Sequence, residues 1–376
     1  MTRPPESGRA VARIDTGAVE RNCRSLAARL QGGAALCAVV KADGYGHGAA
    51  ACAAAALRGG AGVLAVAAAD EAEELRLHFP EARILVMGAL TGAELRTALA
   101  AGAEVTVWRE SFRELCSRLA GEVGAPLPVH VKHDSGMGRL GERDPDAVVE
   151  LARACAEDQR LILAGVWTHL ATADEPESDY MRAQLDAFRV VAERVRELEP
   201  SVTVHAANSA ATIREPASHF DMVRCGVAIY GLDPFQGDPS ASGLEPALSL
   251  SSYVADVKRF RRGDSAGYGR TWTAAEDTWV GVMPIGYGDG VRRALSNNAE
   301  VLVRGRRHPL VGTVSMDNVT IDLGPETEVE AGDEAVLIGA QDGERILAEE
   351  LAARIGTINY EITTGISPRV PRAQGA

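Results

Sequence analysis

The chain has 376 residues, enough to bury a large core and to form two domains. Its net charge of −13 argues against nucleic acid and anionic membrane as partners, and no apolar window approaches the roughly 20 residues of a membrane-spanning helix. The six cysteines (Cys23, Cys37, Cys52, Cys116, Cys155 and Cys225) contain no Cys-x-x-Cys pair. Neither a disulfide framework nor a metal site is therefore expected, which fits a reducing cytoplasm. The first ten residues are polar and lack the apolar stretch of a secretory signal.

Apolar runs at 36–42, 62–67, 83–88, 104–109, 128–134, 163–170, 202–208 and 222–230 read as eight buried strands. Amphipathic stretches separate several of them, with helices expected at 69–78, 110–121, 146–156 and 179–199. Repeated strand–helix units imply parallel strands with crossover helices. A count of eight favours an α/β class chain with an N-terminal (β/α)8 TIM-type barrel. An open doubly wound sheet is the alternative, and the missing G-x-G-x-x-G fingerprint counts against it. At 233–243 the composition shifts to Pro, Gly, Ser and Asp. We place the boundary there, with 1–238 as the barrel and 239–376 as a C-terminal, mostly β domain. Its strands are expected at 248–257, 279–284, 300–303, 309–314, 319–323 and 335–338, with Arg304-Gly-Arg-Arg307 as a hairpin tip and a helix at 348–355.

The most informative stretch is Cys37-Ala-Val-Val-Lys-Ala-Asp-Gly-Tyr-Gly-His-Gly48. A lone lysine at a strand end is most often a surface residue. Lys41, however, follows a fully apolar strand and precedes a glycine-rich turn carrying Tyr45 and His47. In a partly desolvated barrel mouth its amine would be less basic and able to form a Schiff base. The seventh strand ends in Asn208 and Ser209, and the eighth carries Arg224-Cys-Gly-Val227. Gly226 there lets a ligand approach the backbone. An Asn-Ser pair alone is a helix cap more often than a ligand site, but with Lys41 and Tyr45 it suggests a phosphate cradle. In the fifth strand, alternation sends Lys132 and Asp134 inward and His133 towards the helices. An inward lysine and aspartate need partners, and Arg139 follows in a turn suited to an anion. His169 closes the sixth strand.

These motifs, with Gly267-Tyr-Gly-Arg270, Pro284-Ile-Gly-Tyr-Gly-Asp-Gly290, Val314-Ser-Met-Asp-Asn318 and Ile358-Asn-Tyr-Glu361, resemble the alanine racemase family over about 13–372. The resemblance implies pyridoxal 5'-phosphate as cofactor, L- and D-alanine as substrates, a head-to-tail homodimer, and D-alanine supplied for peptidoglycan. It implies that Lys41 is the Schiff-base lysine and the base for the D-enantiomer, and that Tyr268, from the partner subunit, is the opposite base. It makes Arg224 the donor to the pyridine nitrogen, and Tyr45, Ser209, Gly226, Val227 and Tyr360 phosphate ligands. Arg139, Met316 and Tyr287 become substrate contacts. His169 tunes the catalytic tyrosine, Asp317 joins the catalytic set, and Lys132 is a candidate for carbamylation.

Two bases are what racemisation needs, because the proton leaves one face of a planar carbanion and returns to the other. Gly44, Thr313 and Gly365 depart from the family's common alanine, arginine and arginine. A broad-specificity amino-acid racemase would share these motifs, although Tyr360 should crowd any side chain larger than a methyl. A fold-related decarboxylase lacks support in the motifs, and a single-barrel pyridoxal-phosphate carrier would have no second domain.

Overall fold

The computed structural model describes residues 8–375. Its barrel closes through eight parallel strands: β2 (Ala35–Val39), β3 (Ala61–Val66), β4 (Arg83–Val86), β5 (Glu104–Val107), β6 (Leu127–Lys132), β7 (Leu161–Trp167), β8 (Thr203–His205) and β9 (Met222–Cys225). Strand β2 completes the ring by pairing with β9 as well as β3. The strands are almost wholly buried because helices cover their outer faces, so they read as continuous apolar runs. Helices Ala69–His78, Glu110–Val123, Pro145–Glu157 and Tyr180–Leu198 lie where the amphipathic pattern put them.

The described residues separate into two compact units, Val19–Ile229 and a second made of 8–18 with 230–375. The sequence places 1–18 and 230–238 with the barrel; 1–7 lie outside the described residues, and 8–18 and 230–238 fall in the second unit. The reason for the difference is β1 (Ala10–Ile14), a five-residue strand too short to stand out. It pairs antiparallel with β10 (Leu248–Tyr253) in the register Ala10↔Ser252 to Ile14↔Leu248.

The run expected as one strand at 248–257 breaks at Val254–Ala255 into β10 and β11 (Asp256–Phe260). The two then pair with different neighbours, β10 with β18 (Glu334–Gln341) and β11 with β14 (Thr278–Met283). Between β11 and β14 in the chain lie the two-residue strands β12 (Ser265–Ala266) and β13 (Trp272–Thr273), which pair with each other. The large sheet is completed by β15 (Glu300–Val303), β16 (Arg306–Val311), β17 (Val319–Gly324), β19 (Glu344–Ile346) and β20 (Arg372–Gln374). The β15–β16 hairpin turns at Arg304 and Gly305 with φ of 50° and 68°, the paired left-handed conformation that a two-residue hairpin requires. The expected helix is present at Ala348–Arg354, and a second, unexpected one follows at Asn359–Thr364. Among the described residues no helix is long and apolar enough to cross a membrane.

Candidate active site

Lys41 leaves the C-terminal end of β2 into a turn of opposite hand. Ala42, Asp43, Gly44 and Tyr45 have φ of 53°, 50°, 60° and 54°, a conformation costing each non-glycine residue roughly 1–2 kcal/mol. The turn is held by two carboxylates. Glu71 Oε1 accepts from the Ala42 amide (2.6 Å), while its Oε2 accepts from Ala67 and Ala68 (2.8 and 3.0 Å), tying the turn to the end of β3. Asp43 Oδ1 accepts from the Ala49 amide (2.8 Å) at the start of the next helix. Burial, reinforced by Arg139, lowers the Lys41 pKa, with Glu71 opposing. Its Nζ stands 5.9 Å from the centroid of the Tyr45 ring.

Arg224, on β9, is buried in the barrel. Its Nη1 donates to His205 Nδ1 (2.9 Å), and its Nη2 to Thr168 O (2.8 Å), Ala206 O (3.0 Å) and His169 Nδ1 (3.3 Å). Only Nε has no acceptor among the described residues. Burial pulls the Arg224 pKa down to about 10, so it remains a cation at neutral pH. His169 must accept from it and is neutral, its pKa held well below the ordinary value by burial and then by Arg224.

Lys132 is buried, with Nζ 4.2 Å from the Trp167 ring, whose system Arg224 Cζ also approaches at 4.5 Å. Burial first, then Arg224 and Arg139, pushes its pKa down to about 7. Asp134, expected to need a partner, finds it in backbone amides. It lies just past β6, and its carboxylate accepts from the Gly136 and Gly138 amides (3.1 and 2.9 Å), shaping the turn that leads to Arg139. Arg139 itself is exposed. His133 faces the helices as expected, stacking on Phe188 at 6.4 Å.

Beside these cations Ser209 Oγ accepts from the Gly226 and Ala228 amides (3.0 and 3.3 Å), leaving its hydroxyl proton available for an anion. A Cβ at Gly226 would stand 2.8 Å from Tyr45 Cζ, so glycine is required for Tyr45 to reach this corner. Val227 is buried beside it. Asn208 caps the helix Ser209–Arg214, its Oδ1 accepting from the Ala211 amide (3.0 Å), which commits that oxygen to structure.

In the β unit, the expected residues gather on adjoining loops. Tyr268 is 74% exposed, and its carbonyl accepts from Thr313 Oγ1 (2.8 Å). The Thr313 hydroxyl also shares a hydrogen bond with Thr271 (3.1 Å). Amides of Tyr287 and Gly288 donate to Ser315 O and Met316 O (3.0 and 2.8 Å), which zips the Tyr287 loop to the Met316 loop. Tyr287 and Met316 are both exposed. Asp317 pairs with Arg369 (2.7 Å) and Arg9 (3.5 Å), and Arg369 holds its carboxyl below the usual range. Tyr360 lies half-buried on the helix Asn359–Thr364. At Gly365 a Cβ would fall 2.6 Å from Arg292 Cζ. Arg292, which donates to Glu361 O (2.6 Å), thus fills the space a larger residue would need.

Sequence reasoning missed Glu71, Trp167, Glu104, His130 and His205. The alternation that singled out Lys132 also puts His130 inward; for Glu71, a carboxylate in an ordinary helical first turn, nothing in the sequence marks its three backbone contacts.

A barrel mouth holding a lysine of lowered pKa, two arginines and a second, less basic lysine defines an enzyme built for a ligand that is both anionic and open to attack by an amine. Family models sharpen this: the alanine racemase N-terminal domain matches 14–234 and the C-terminal domain 247–374. The alanine racemase of Symbiobacterium thermophilum is 42% identical over 366 residues, covering 97% of this chain and 96% of that protein. That of Desulfosudis oleivorans is 41% identical, covering 96% and 95%. The solved alanine racemase from Streptomyces coelicolor A3(2) superposes with a TM-score of 0.92 at 40% identity, covering 97% and 98% of the two chains. The chain belongs to the alanine racemase family, whose members are pyridoxal-phosphate-dependent isomerases.

Proposed function

We propose that the protein interconverts L- and D-alanine on pyridoxal 5'-phosphate, with Lys41 and Tyr268 as the two bases. The observation that carries the reading is the mouth of the barrel. Burial together with Arg139 lowers the basicity of Lys41, and burial together with Arg224 and Arg139 lowers that of Lys132; cations crowded in this way call for a multiply charged anion. The residues present fit this cofactor. Tyr45, the Ser209 hydroxyl and the backbone at Gly226 and Val227 would hold its phosphate. Arg224, through Nε, would donate to its ring nitrogen.

Pyridoxal phosphate, when bound, supplies an electron-withdrawing ring that acidifies the Cα–H of an attached amino acid. The protein's own groups do the rest. Lys41 Nζ, already less basic than a free lysine, moves the proton on one face of Cα, and the Tyr268 hydroxyl on the other. Arg224 cannot give up its proton to the ring nitrogen. Facing the ring nitrogen, it would keep that nitrogen unprotonated and so would restrain side reactions. Arg139 and Met316 meet the substrate carboxylate, and Tyr287 and Tyr360 limit the side chain to a methyl.

Lys132 carries a carbamate in this reading. Its pKa of about 7 leaves enough neutral amine at physiological pH to combine with carbon dioxide, and the product is an anion beside Arg139 and Arg224. Tyr268 is supplied by a second copy of the chain in a head-to-tail dimer, supported by its 74% exposure alongside exposed Tyr287 and Met316. The test is an optical-rotation assay of the purified protein with each alanine enantiomer, with L-serine, L-lysine and L-arginine as competitors. Racemisation of alanine that survives Lys41→Ala, or faster turnover of the larger substrates, would overturn the reading.

A further inference from the structure

Arg83 and Glu104 open strands β4 and β5, at the end of the barrel opposite the lysine. A continuous chain of hydrogen bonds runs from them to Arg224. Arg83 meets Glu104 through two bonds, Nε to Oε1 (2.8 Å) and Nη2 to Oε2 (3.1 Å). Glu104 Oε2 lies 2.7 Å from His130 Nε2, His130 Nδ1 lies 2.9 Å from His205 Nε2, and His205 Nδ1 meets Arg224 Nη1 at 2.9 Å. Both histidines are completely buried, and the Trp167 ring stacks flat on His205 at 5.6 Å. A packed barrel interior has no need of two histidines and a carboxylate in series, since branched apolar side chains usually fill these layers.

We propose that Glu104, His130 and His205 form a positioning chain that fixes the Arg224 guanidinium against the cofactor ring. This rests on reading Arg224 as the donor to the ring nitrogen. The proton positions follow from the partners. Arginine only donates, so His205 Nδ1 accepts, and a neutral His205 carries its proton on Nε2. That proton points at His130 Nδ1, which must therefore accept, leaving the His130 proton on Nε2 facing Glu104. A proton on His130 Nδ1 would meet the His205 Nε2–H head on.

The carboxylate end is ionised: burial works to raise the Glu104 pKa, but the bonds from His130 and Arg83 outweigh it and lower it. Burial and Arg224 keep His205 from charging. The chain thus locks both rings in one tautomer, presents a lone pair to Arg224, and leaves the guanidinium no freedom to swing away from the ring or towards Lys132. Glu104, His130 and His205 touch neither substrate nor cofactor; they act through Arg224.

The experiment is long-range 1H–15N NMR of the protein labelled at histidine nitrogen, with and without cofactor, the two signals being assigned from His130→Asn and His205→Asn. Both rings should be neutral with the proton on Nε2 in either state. A cationic ring, or a proton on Nδ1 of either, overturns the proposal with no variant needed. The kinetic arm uses Glu104→Leu, which removes the acceptor, and Glu104→Gln, which keeps a carbonyl facing His130. Glu104→Leu should lower kcat about tenfold, the lower end of what outer partners that orient a ligand contribute, with KM within about twofold and a shifted absorbance maximum of the bound cofactor. Glu104→Gln should recover most of the loss. A folded Glu104→Leu protein with unchanged kcat and absorbance also refutes the chain, even with the expected tautomers. If the cofactor reading itself is wrong, the protein shows the expected tautomers but takes up no pyridoxal phosphate.

Discussion

Replacing Lys132 by methionine should make the protein more stable while abolishing its activity. The fall of the Lys132 pKa from 10.5 to about 7, at about 1.4 kcal/mol per pKa unit, amounts to on the order of 4–5 kcal/mol of destabilisation when the amine must be charged in the unfolded chain. Methionine fills much the same volume against Trp167 but forfeits the ammonium–indole contact at 4.2 Å, worth up to about 2 kcal/mol. A net gain of about 2–3 kcal/mol near pH 7 remains.

The pH dependence identifies its origin. The unfolded lysine is protonated below about 10.5, and the folded one only below about 7. The penalty is therefore absent above the upper value, grows as pH falls, and is complete below the lower. Urea unfolding of cofactor-free wild type and Lys132→Met in carbon-dioxide-free buffer should show the largest gap near pH 6.5, closing towards pH 10. Added bicarbonate should stabilise the wild type alone, by converting the amine to an anion beside Arg139 and Arg224. A gap that stays constant with pH, or a variant less stable at pH 7, would refute the electrostatic reasoning.

Gly226→Ala places a methyl 2.8 Å from Tyr45 Cζ; at the 1–3 kcal/mol usual for overpacking, pyridoxal-phosphate affinity should fall about 5- to 150-fold, and an unchanged Kd in a fluorescence titration would reject the cradle. Mixing inactive Lys41→Ala and Tyr268→Ala proteins under subunit exchange should restore up to half of wild-type activity per heterodimer, because one site regains both bases. A mixture that stays inactive although mass spectrometry confirms the heterodimer would defeat the shared site. Gly365→Arg must evict Arg292 from its contact with Glu361 O, which should cost about 1–3 kcal/mol and lower Tm; a Tm equal to wild type would mean the loop absorbs the side chain freely.

The barrel was legible because its strands are apolar on both faces and its helices amphipathic, so each element announces itself over several residues. Ala10–Ile14 was not, since five residues gain their identity only from the partner strands Leu248–Tyr253 and Arg372–Gln374, both more than 200 positions away. The same limit hid the break at Val254, where β-rich text is continuous but the partners change. Within the site, Lys41, Lys132 and Arg224 stood out as charges in apolar strands. Asp134 and Asn208 were half legible: the sequence placed them at the mouth but could not show that backbone amides claim their oxygens. Glu104 and His130 were passed over because each looks ordinary alone, and only the closed ring lines them up with His205.

The left-handed turn after Lys41 gives the mouth a spring. Ala42, Asp43 and Tyr45 together hold about 3–6 kcal/mol of conformational strain, and the carboxylates of Glu71 and Asp43 act as its catch. Strain confined to these three residues lowers the free energy of local opening there without weakening the barrel as a whole. The amides of this turn should therefore exchange with solvent well before those of β2, from which it grows. A ligand that engages Lys41 at one end and Tyr45 at the other closes the spring from both sides, so the slowest-exchanging state of this segment is the loaded one.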